Sequence, residues 1–193
     1  MSSSSAKRRQ RGDFKPKLIA LSVAACFSLS NGQSFANPTG GTVSSGSATI
    51  ASSGNTLTIT NSANAIINWQ SFSIGVNEIT QFLQSSGSSA VLNRVVGANG
   101  VIPQSVIDGI LSSNGRVFLI NPSGVVIGST GRIDVAGFVA SSLNLSDQDF
   151  LSGRLRFTET PGAGGVSNAG VIDTSSGGPG GRVSRPAGSK TPR

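Results

Sequence analysis

Short apolar runs separated by Gly, Asn and Ser clusters fill the chain from Gly40 onward. In Thr56–Thr60 polar and apolar residues alternate, which is typical of a β-strand with one buried face. The runs that share this β-rich character are 42–43, 48–50, 56–60, 65–69, 81–83, 117–120, 125–127 and 138–140. Short strands joined by Gly or Asn corners favour a β-solenoid, although an antiparallel sandwich also has short strands and frequent turns.

Several of these runs begin directly after a glycine. Gly115, Gly124 and Gly131 stand 9 and 7 residues apart, and the Gly-Arg-Ile-Asp run at Gly131 reappears as Gly-Val-Ile-Asp at Gly170, 39 residues later. That spacing corresponds to two solenoid turns of about 20 residues each. One segment, Ser105–Leu111, has helical spacing and a capping serine, so a single short helix is predicted there.

Composition excludes several kinds of chemistry. The 193 residues include no His and one Cys, which excludes a Ser-His-Asp triad, a Cys-His dyad, a His-ligated metal and a disulfide framework. The net charge of +7 is concentrated at the ends: residues 1–36 carry +5 and residues 182–193 carry +4, whereas residues 37–181 carry −2. The central segment therefore lacks a basic surface for nucleic acid. No cofactor and no metal are predicted.

The first 36 residues have the pattern of a secretory signal peptide. Residues 7–17 are basic, residues 18–30 are apolar, and small residues precede a cleavage site between Ala36 and Asn37. Thirteen apolar residues are too few to span a membrane as a helix, so no transmembrane span is predicted. An alternative is lipoprotein processing at Cys26, because the preceding residues resemble a lipobox.

The remaining chain divides into two predicted regions. Residues 37–173 carry the strand pattern and form the predicted domain. Residues 174–193 contain five Gly, three Pro and four basic residues, a composition typical of disorder.

The segment Asn114–Gly128 contains a recognisable motif. Asn121-Pro122-Ser123-Gly124-Val125 resembles the Asn-Pro-Asn-Gly-Ile/Val motif of the haemagglutination-activity family, the two-partner-secretion domains at the N-terminus of filamentous haemagglutinins. Ser123 replaces the usual Asn, and serine also favours turns. Five further blocks resemble the branch of high-molecular-weight adhesins of Haemophilus type, and they occupy residues 68–75, 77–84, 91–97, 137–144 and 149–153.

The resemblance implies a right-handed parallel β-helix with a few extra-helical strands. It further implies a non-enzymatic domain that crosses the periplasm of a Gram-negative bacterium unfolded or partly folded and is recognised by the periplasmic domains of an outer-membrane barrel transporter. The domain would then emerge first, at the cell surface or in the medium, and template folding of the chain behind it. A host receptor or glycan is not identified by the sequence.

The family pattern normally continues with further Gly-x-Ile/Val turns, whereas here it stops after Asp173. We therefore expect a truncated adhesin. An isolated domain and a naturally short secreted product are the alternatives.

The resemblance also singles out residues. In the turn, Asn121 and Ser123 are expected to hydrogen-bond their own backbone while Pro122 fixes φ and Gly124 follows. A corner needed only for folding is favoured over direct contact with the transporter. The other residues that match the family pattern are Asn68, Trp69, Phe72, Asn93, Arg94, Asn114 and Gly115.

Packing roles are predicted for the aromatic residues. Trp69, Phe72 and Phe82 are expected in the core rather than on a ligand platform. Asn93 and Arg94 fit either an internal polar ladder or an exposed contact.

Two polar features near residue 145 have weaker interpretations. The segment Asp147–Asp149 is expected to be a solvated loop rather than a calcium site. Asn144-Leu145-Ser146 is the one acceptable glycosylation sequon of the sequence.

A polysaccharide-cleaving β-helix enzyme is the main alternative function. Acidic residues are sparse in residues 37–181, and Asp147 and Asp149 form the one close pair in sequence, whereas a glycosidase needs two carboxylates about 5–10 Å apart. A surface lipoprotein anchored at Cys26 is the second alternative.

Overall fold

Strands account for nearly all regular structure in the computed structural model, which describes residues 37–175. The predicted signal peptide with Cys26 and Ala36, and the predicted tail from residue 176 onward, lie outside the described residues. The elements are β1 (Thr42–Ser45), β2 (Ala48–Ser53), β3 (Thr56–Asn61), β4 (Ala65–Trp69), β5 (Ile79–Gln84), β6 (Ala90–Val95), β7 (Ser105–Ile107), β8 (Ile110–Ile120), β9 (Val125–Ile127), β10 (Arg132–Ser141), β11 (Asn144–Leu145), α1 (Asp147–Leu151), β12 (Phe157–Thr158), β13 (Val166–Asn168) and β14 (Val171–Asp173). The all-β prediction is confirmed, and the described residues contain one short helix, at a place other than the predicted one.

The largest sheet is mixed, and most of its pairings are parallel. Two long strands organise it, because each pairs through two different halves. The first half of β8 pairs with β5 and its second half pairs with β6, and a register irregularity separates Ser113 from Arg116. Strand β10 lies parallel to β8 along both halves, with Arg132 opposite Ile110 and Gly137 opposite Arg116.

Parallel ladders continue on both sides of these long strands. Strand β3 pairs with β5, β4 pairs with β6, and β14 pairs with β10. A second, three-stranded sheet contains β7, β9 and β13 in parallel, with Ser105, Val125 and Val166 in register. Antiparallel pairing within these two sheets is confined to β1 with β4 and β2 with β3, at the N-terminal end of the described residues.

The main core contains the inward side chains of these ladders. In β3 the residues alternate between buried and less buried, so Leu57 and Ile59 enter the core, as the sequence pattern predicts. A second apolar cluster contains Leu92, Phe118, Leu145 and Phe150, and it includes residues of β11 and α1 packed on β6 and β8. Burying a large aliphatic or aromatic side chain contributes about 1.5–3 kcal/mol, so both clusters stabilise the fold.

The helix predicted at Ser105–Leu111 is wrong. Ser105–Ile107 forms β7, with Ser105 and Ile107 fully buried, and a corner at Gly109 leads into β8. Pairing with β9 on one side and a bridge from Ile107 to Ile74 on the other satisfy the backbone of this segment, and its local pattern does not reveal either contact. The one α-helix of the described residues is α1.

The solvated loop predicted at Asp147–Asp149 is also wrong, since these residues begin helix α1. The Ser146 side chain accepts a hydrogen bond from Asp149 N and caps the helix, while both aspartates lie in the first turn, where negative charge is favourable. The Ser-x-x-Asp spacing is a helix-start signal similar to the one that misled at Ser105.

The glycine runs at Gly131 and Gly170 are direct neighbours, not two turns apart. Arg132 lies opposite Val171, and the intervening chain contains β11, α1 and β12 before it returns in register. The spacing of 39 residues therefore joins two directly paired strands, and the prediction of two regular turns of about 20 residues is wrong.

A column of glycines explains why strands begin directly after glycine. Arg132 N donates to Gly109 O (2.9 Å), and Val171 N donates to Gly131 O (3.0 Å). A Cβ atom at Gly131 would lie 2.2 Å from Ile107 O, and one at Gly170 would lie 2.3 Å from Gly131 O. Backbone from the neighbouring turn thus passes too close for any side chain.

Asparagine occupies other corners. The three non-glycine residues with positive φ among the described residues are Asn64 (55°), Asn77 (67°) and Asn99 (51°). Asparagine tolerates this left-handed conformation better than most residues, which supports the corner role inferred from the sequence.

None of the helices within residues 37–175 is long and apolar enough to cross a membrane.

We predict that Gly131→Ala destabilises the protein by about 2–3 kcal/mol, because its methyl group collides with backbone that cannot move freely. Urea unfolding of the full chain measures this change. The matched control is Gly165→Ala, where no atom lies within 4 Å of the added Cβ and φ is not positive, so a change below about 0.5 kcal/mol is expected. Equal losses in the two variants would contradict the close-approach explanation.

Candidate functional site

The motif Asn121–Gly124 forms a closed turn between β8 and β9. Gly124 N donates to Asn121 O (2.9 Å), and Ser123 N donates to Asn121 Oδ1 (2.9 Å). Gly124 has φ of +99°, and a Cβ there would lie 2.5 Å from Gly165 O. The Asn121 carboxamide thus closes its own turn, and the glycine is needed for both conformation and space.

This turn is joined to the preceding loop. The fully buried Asn121 side chain donates through Nδ2 to Pro103 O and to Ser105 Oγ, both at 2.9 Å. The Ser123 hydroxyl donates to Ile102 O (2.6 Å) rather than to its own turn. Two side chains of the motif therefore fix the loop that enters β7.

The same turn is joined to the following loop through its backbone. Gly164 N donates to Pro122 O (2.7 Å), and Val125 N donates to Gly165 O (3.1 Å). Loops from three separate parts of the chain thereby meet, with the Asn121 motif in the middle. The side chain of Asn121 is enclosed, whereas Pro122 and Ser123 remain partly exposed.

A second polar group lies inside the core. Trp69 Nε1 donates to Asn93 Oδ1 (2.9 Å), and Asn93 Nδ2 donates to Phe118 O (3.3 Å). Trp69 and Phe72 pack edge to face with centroids 5.7 Å apart. Trp69, Phe72 and Phe82 are at most 1% exposed, which confirms their predicted place in the core. Asn93 belongs to the internal network.

Arg94 points to the opposite side of β6 from Asn93. Its Nη2 donates to Asp147 Oδ1 and to Leu145 O, both at 2.7 Å, and its Nη1 donates to Asn68 Oδ1 at 3.4 Å. The Arg94–Asp147 ion pair is partly shielded from solvent, with side-chain exposures of 19% and 44%. Arg94 therefore attaches the β11–α1 segment to the sheet.

Asn114 and Gly115 lie where β8 changes partners from β5 to β6. Asn114 Nδ2 donates to Gln84 O, and Gln84 N donates to Asn114 Oδ1, both at 2.7 Å. The carboxamide thus replaces a strand neighbour for the last residue of β5. A Cβ at Gly115 would lie 2.6 Å from the buried Gln84 side chain, which explains a glycine at this position.

The remaining predicted residues lie apart from these groups. Asn37 donates through Nδ2 to Asn55 O (3.0 Å) and accepts from Thr80 Oγ1 (2.9 Å). Asn144 is exposed on β11, opposite Thr158. The structure therefore assembles the motif turn, the Trp69–Asn93 layer and the Arg94 attachment as separate stabilising groups rather than as one cleft.

Sequence reasoning missed three partners in these groups. Ser105, Gln84 and Asp147 complete the networks of Asn121, Asn114 and Arg94 respectively. For Asp147 the Ser146-x-x-Asp149 cap was an available signal that a helix places it at a defined position. For Ser105 and Gln84 no local signal identifies the partner, because each contact joins residues of different turns.

Acidic groups are scattered or already engaged. Asp147 pairs with Arg94, and Asp149 pairs with Arg154 (3.2 Å). Hydrogen bonds from Ser175 lower the pKa of the Asp173 carboxyl below its ordinary value. Within residues 37–175 no group of three or more His, Cys, Asp or Glu residues is placed to hold a metal ion.

The fold and these stabilising turns belong to a known class of protein. Residues 34–186 match the family model described as the TPS (two-partner-secretion) secretion domain, so the chain belongs to the TPS secretion domain family. The crystal structure of the HMW1 secretion domain from Haemophilus influenzae is similar, with a TM-score of 0.66 and 41% sequence identity, over 70% of this chain and 36% of that chain.

Two curated relatives are also similar. Both are heme/hemopexin-binding proteins of Haemophilus influenzae. The one from strain Rd is 39% identical over 109 residues, or 56% of this chain and 12% of the relative. The other is 38% identical over 94 residues, or 49% of this chain and 10% of the relative. The matched segment is thus a small fraction of each relative's length.

We predict that Asn121→Ala lowers the free energy of unfolding by about 3 kcal/mol, because it leaves several buried polar groups of three loops without partners. Thermal unfolding by circular dichroism measures the loss. The matched control is Asn144→Ala, which removes an exposed carboxamide and is expected to change stability by less than about 0.5 kcal/mol. A near-neutral Asn121→Ala would show that the turn is held by its backbone alone.

We also predict coupling between Trp69 and Asn93. Trp69→Phe leaves Asn93 Oδ1 without its donor, and Asn93→Ala leaves the indole N–H without its acceptor. The double variant removes both partners, so its loss in stability is expected to fall short of the sum of the single losses by about 1 kcal/mol. Urea unfolding of the four proteins completes the cycle, and additive losses would exclude the coupling.

Proposed function

We propose that this chain is the secretion-targeting domain of a Gram-negative exoprotein of the adhesin type, and that it has no enzymatic activity. It would cross the periplasm and be recognised by the periplasmic domains of a cognate outer-membrane barrel transporter. The observation that carries this proposal is the family match over residues 34–186, together with 41% identity to the HMW1 secretion domain.

We further propose that the parallel ladders are successive turns of a right-handed parallel β-helix. Thr56, Ile79, Ile110, Arg132 and Val171 follow one another in register across five strands. In this arrangement β3, β5, β8, β10 and β14 occupy one face, while β7, β9 and β13 occupy another. Elements β11, α1 and β12 would be the extra-helical insertion.

The two ends of this stack differ, and the difference supports a role in folding. At the N-terminal end the antiparallel strands β1 and β2 cover the first turn. At the other end, β13 and β14 each have a strand partner on one side within the described residues, and so does the Gly137–Ser141 half of β10. Unpaired strand edges are templates for further pairing.

A cavity of about 390 Å³ opens at that second end. Ile127, Phe138, Ala140 and Ile172 are among the residues that line it. A further turn of the same chain would fill the cavity and satisfy the open edges. Because a solenoid grows by contacts between neighbouring turns, this end is suited to nucleate β-helix folding as the chain emerges.

Two further features support export. Cys26 is the one cysteine of the sequence, so a chain cleaved after Ala36 carries no thiol that could form a disulfide in the periplasm. Asn37, the first residue after the proposed cleavage site, is bonded to Asn55 and Thr80. We accordingly propose that the working domain begins at Asn37 and extends to Asp173.

For the Asn121 turn the contacts favour a folding role over transporter contact. Its Nδ2 donates to Pro103 O and Ser105 Oγ, and its Oδ1 accepts from Ser123 N. Both polar atoms of the side chain therefore already have partners within the domain. Glycan modification at the exposed Asn144 and anchoring at Cys26 remain separate proposals that intact mass measurement addresses.

We predict that the native host releases a product starting at Asn37 into the medium when the transporter is present. Deletion of the transporter gene is expected to retain the product in the periplasm, because nothing else in the outer membrane recognises it. Fractionation with intact mass and N-terminal sequencing measures both. Release in the deletion strain, or lipid on Cys26, would contradict the proposed function, and turnover of acidic polysaccharides by the purified chain would contradict the absence of enzymatic activity.

A further inference from the structure

The loop between α1 and β12 carries two arginines on an exposed stretch of backbone. Residues 151–156 are all exposed, and Arg154, Leu155 and Arg156 lie outside the helix and the strands. Gly153 follows the helix cap with φ of +72°, and no atom lies within 4 Å of the place where its Cβ would be. We refer to residues 152–156 as the Arg154 loop. Exposed loops of this kind are the preferred sites of proteolytic cleavage.

A protease that cuts after basic residues finds few other sites in the domain. Residues 37–175 contain no lysine and five arginines, namely Arg94, Arg116, Arg132, Arg154 and Arg156. The first three lie in strands β6, β8 and β10. Each of these strands is paired on both sides at the position of its arginine.

Backbone pairing, rather than side-chain exposure, separates these three arginines from the loop. Their neighbours in register are Asn68 and Ile120 for Arg94, Ala90 and Gly137 for Arg116, and Ile110 and Val171 for Arg132. The side chains of Arg116 and Arg132 are exposed, as that of Arg154 is. Cleavage beside them nevertheless requires the sheet to open first, because a protease must reach the backbone.

Within the loop, the Arg154–Leu155 bond is more accessible than the Arg156–Phe157 bond. Phe157 belongs to β12, is half-buried and packs against the second apolar cluster. Leu155, by contrast, is 51% exposed. The glycine before Arg154 can change from its left-handed conformation to the extended one at little cost, which allows the loop to enter a protease cleft.

The Arg154 side chain is also free to change partners. Its Nε lies 3.2 Å from Asp149 Oδ1, and the side chain is 63% exposed. Exposed ion pairs contribute little to stability, so the guanidinium can leave Asp149 for another carboxylate.

We propose that the Arg154 loop of the folded domain is a processing site for arginine-specific serine endopeptidases of the trypsin class. The Arg154 guanidinium enters the acidic specificity pocket of the protease, and water hydrolyses the Arg154–Leu155 peptide bond. Arg154 then ends in a carboxylate, and Leu155 begins with an amino group. This inference does not depend on the proposed function, because it concerns the folded chain and not its route of export.

Contacts across the cut are expected to hold the two fragments together. After Leu155, β12 pairs with β11, β13 with β9 and β14 with β10, and each of these partners precedes the cut. Val166 and Ile172 pack against the main core, while Phe157 packs against the second cluster. The product is therefore a nicked domain of two fragments that remain associated without a covalent bond.

Selectivity for one bond is a property of the folded chain. An unfolded or partly folded chain presents all five arginines of residues 37–175, so every one of these sites becomes a substrate. The same protease thus distinguishes a domain that has completed its sheets from one that has not.

The test is limited digestion of the purified full chain by trypsin, with N-terminal sequencing and mass spectrometry of the fragments. The loop variants are Arg154→Gln, Arg154→Lys and Arg156→Gln. The matched control is Arg132→Gln, which changes an exposed arginine on a strand paired on both sides. Unfolding curves establish that each variant is folded, and chain unfolded in urea is digested in parallel.

We expect Leu155 to be the first new N-terminus that appears within residues 37–175 of the folded chain. Arg154→Gln is expected to slow this cleavage by at least about a hundredfold, because the acidic pocket loses its charged partner. Arg154→Lys retains the cut, since trypsin also accepts lysine, and Arg156→Gln and Arg132→Gln are cut as the wild type is. The urea-unfolded chain is expected to be cut at all five arginines.

Size-exclusion chromatography of the cut product tests the association of the fragments. One peak is expected in buffer and two separate fragments in urea. Separation in buffer would contradict the nicked, associated domain.

Resistance of the folded chain to trypsin, or a first cut after Arg94, Arg116 or Arg132, would overturn the processing site. A first cut after Arg156 that leaves the Arg154–Leu155 bond intact would overturn the assignment to Arg154. The proposed function fails by a different result, release into the medium without the transporter, and that result leaves the digestion pattern unchanged.

Discussion

The backbone of each strand must find its hydrogen-bond partners on neighbouring strands, and this requirement governs the rest of the structure. Parallel ladders satisfy it along the strands, but corners bring carbonyl oxygens of one turn against the first residue of another. At Gly109, Gly131 and Gly170 the approach leaves no room for Cβ. The glycines are therefore fixed by contacts between turns that are distant in sequence, and the strands follow from them.

Where a ladder is interrupted, carboxamide side chains replace the missing backbone. Asn114 bonds the backbone N–H and C=O of Gln84, as a neighbouring strand would. Asn93 joins the indole of Trp69 to the backbone carbonyl of Phe118, and Asn121 connects three loops. Asparagine provides one acceptor and two donors on a short side chain, so it can satisfy two turns at once without charge. Asn93 and Asn121 are fully buried, whereas Asn114 is exposed on β8, so these side chains act as separate links between strands rather than as one exposed surface.

The sequence was sufficient for features that depend on neighbouring residues. Alternation in Thr56–Thr60 is local and matches β3, and Asn121 closes its own turn. Gly115, however, lies inside β8 rather than before a strand, and the Ser123 hydroxyl bonds Ile102 O rather than its own turn. The helix predicted at Ser105–Leu111 was wrong because residues 105–107 pair with β9. Strand β8 separates the two in sequence, so no local pattern reveals this pairing. The partners of Arg94 also could not be foreseen, because the segment between β10 and β13 brings residue 147 against residue 94.

Trp69 gives the protein an optical property of its own. The chain has one tryptophan and no tyrosine, so its near-ultraviolet fluorescence comes from a single indole. That indole lies in β4, paired with β1 and β6 near the N-terminal end of the stack, and is 1% exposed. Its emission therefore reports when the core around β4 excludes water, while far-ultraviolet dichroism reports the formation of strands over the whole chain. A delay between the two signals shows whether this part of the core closes before or after the strands form, without any label.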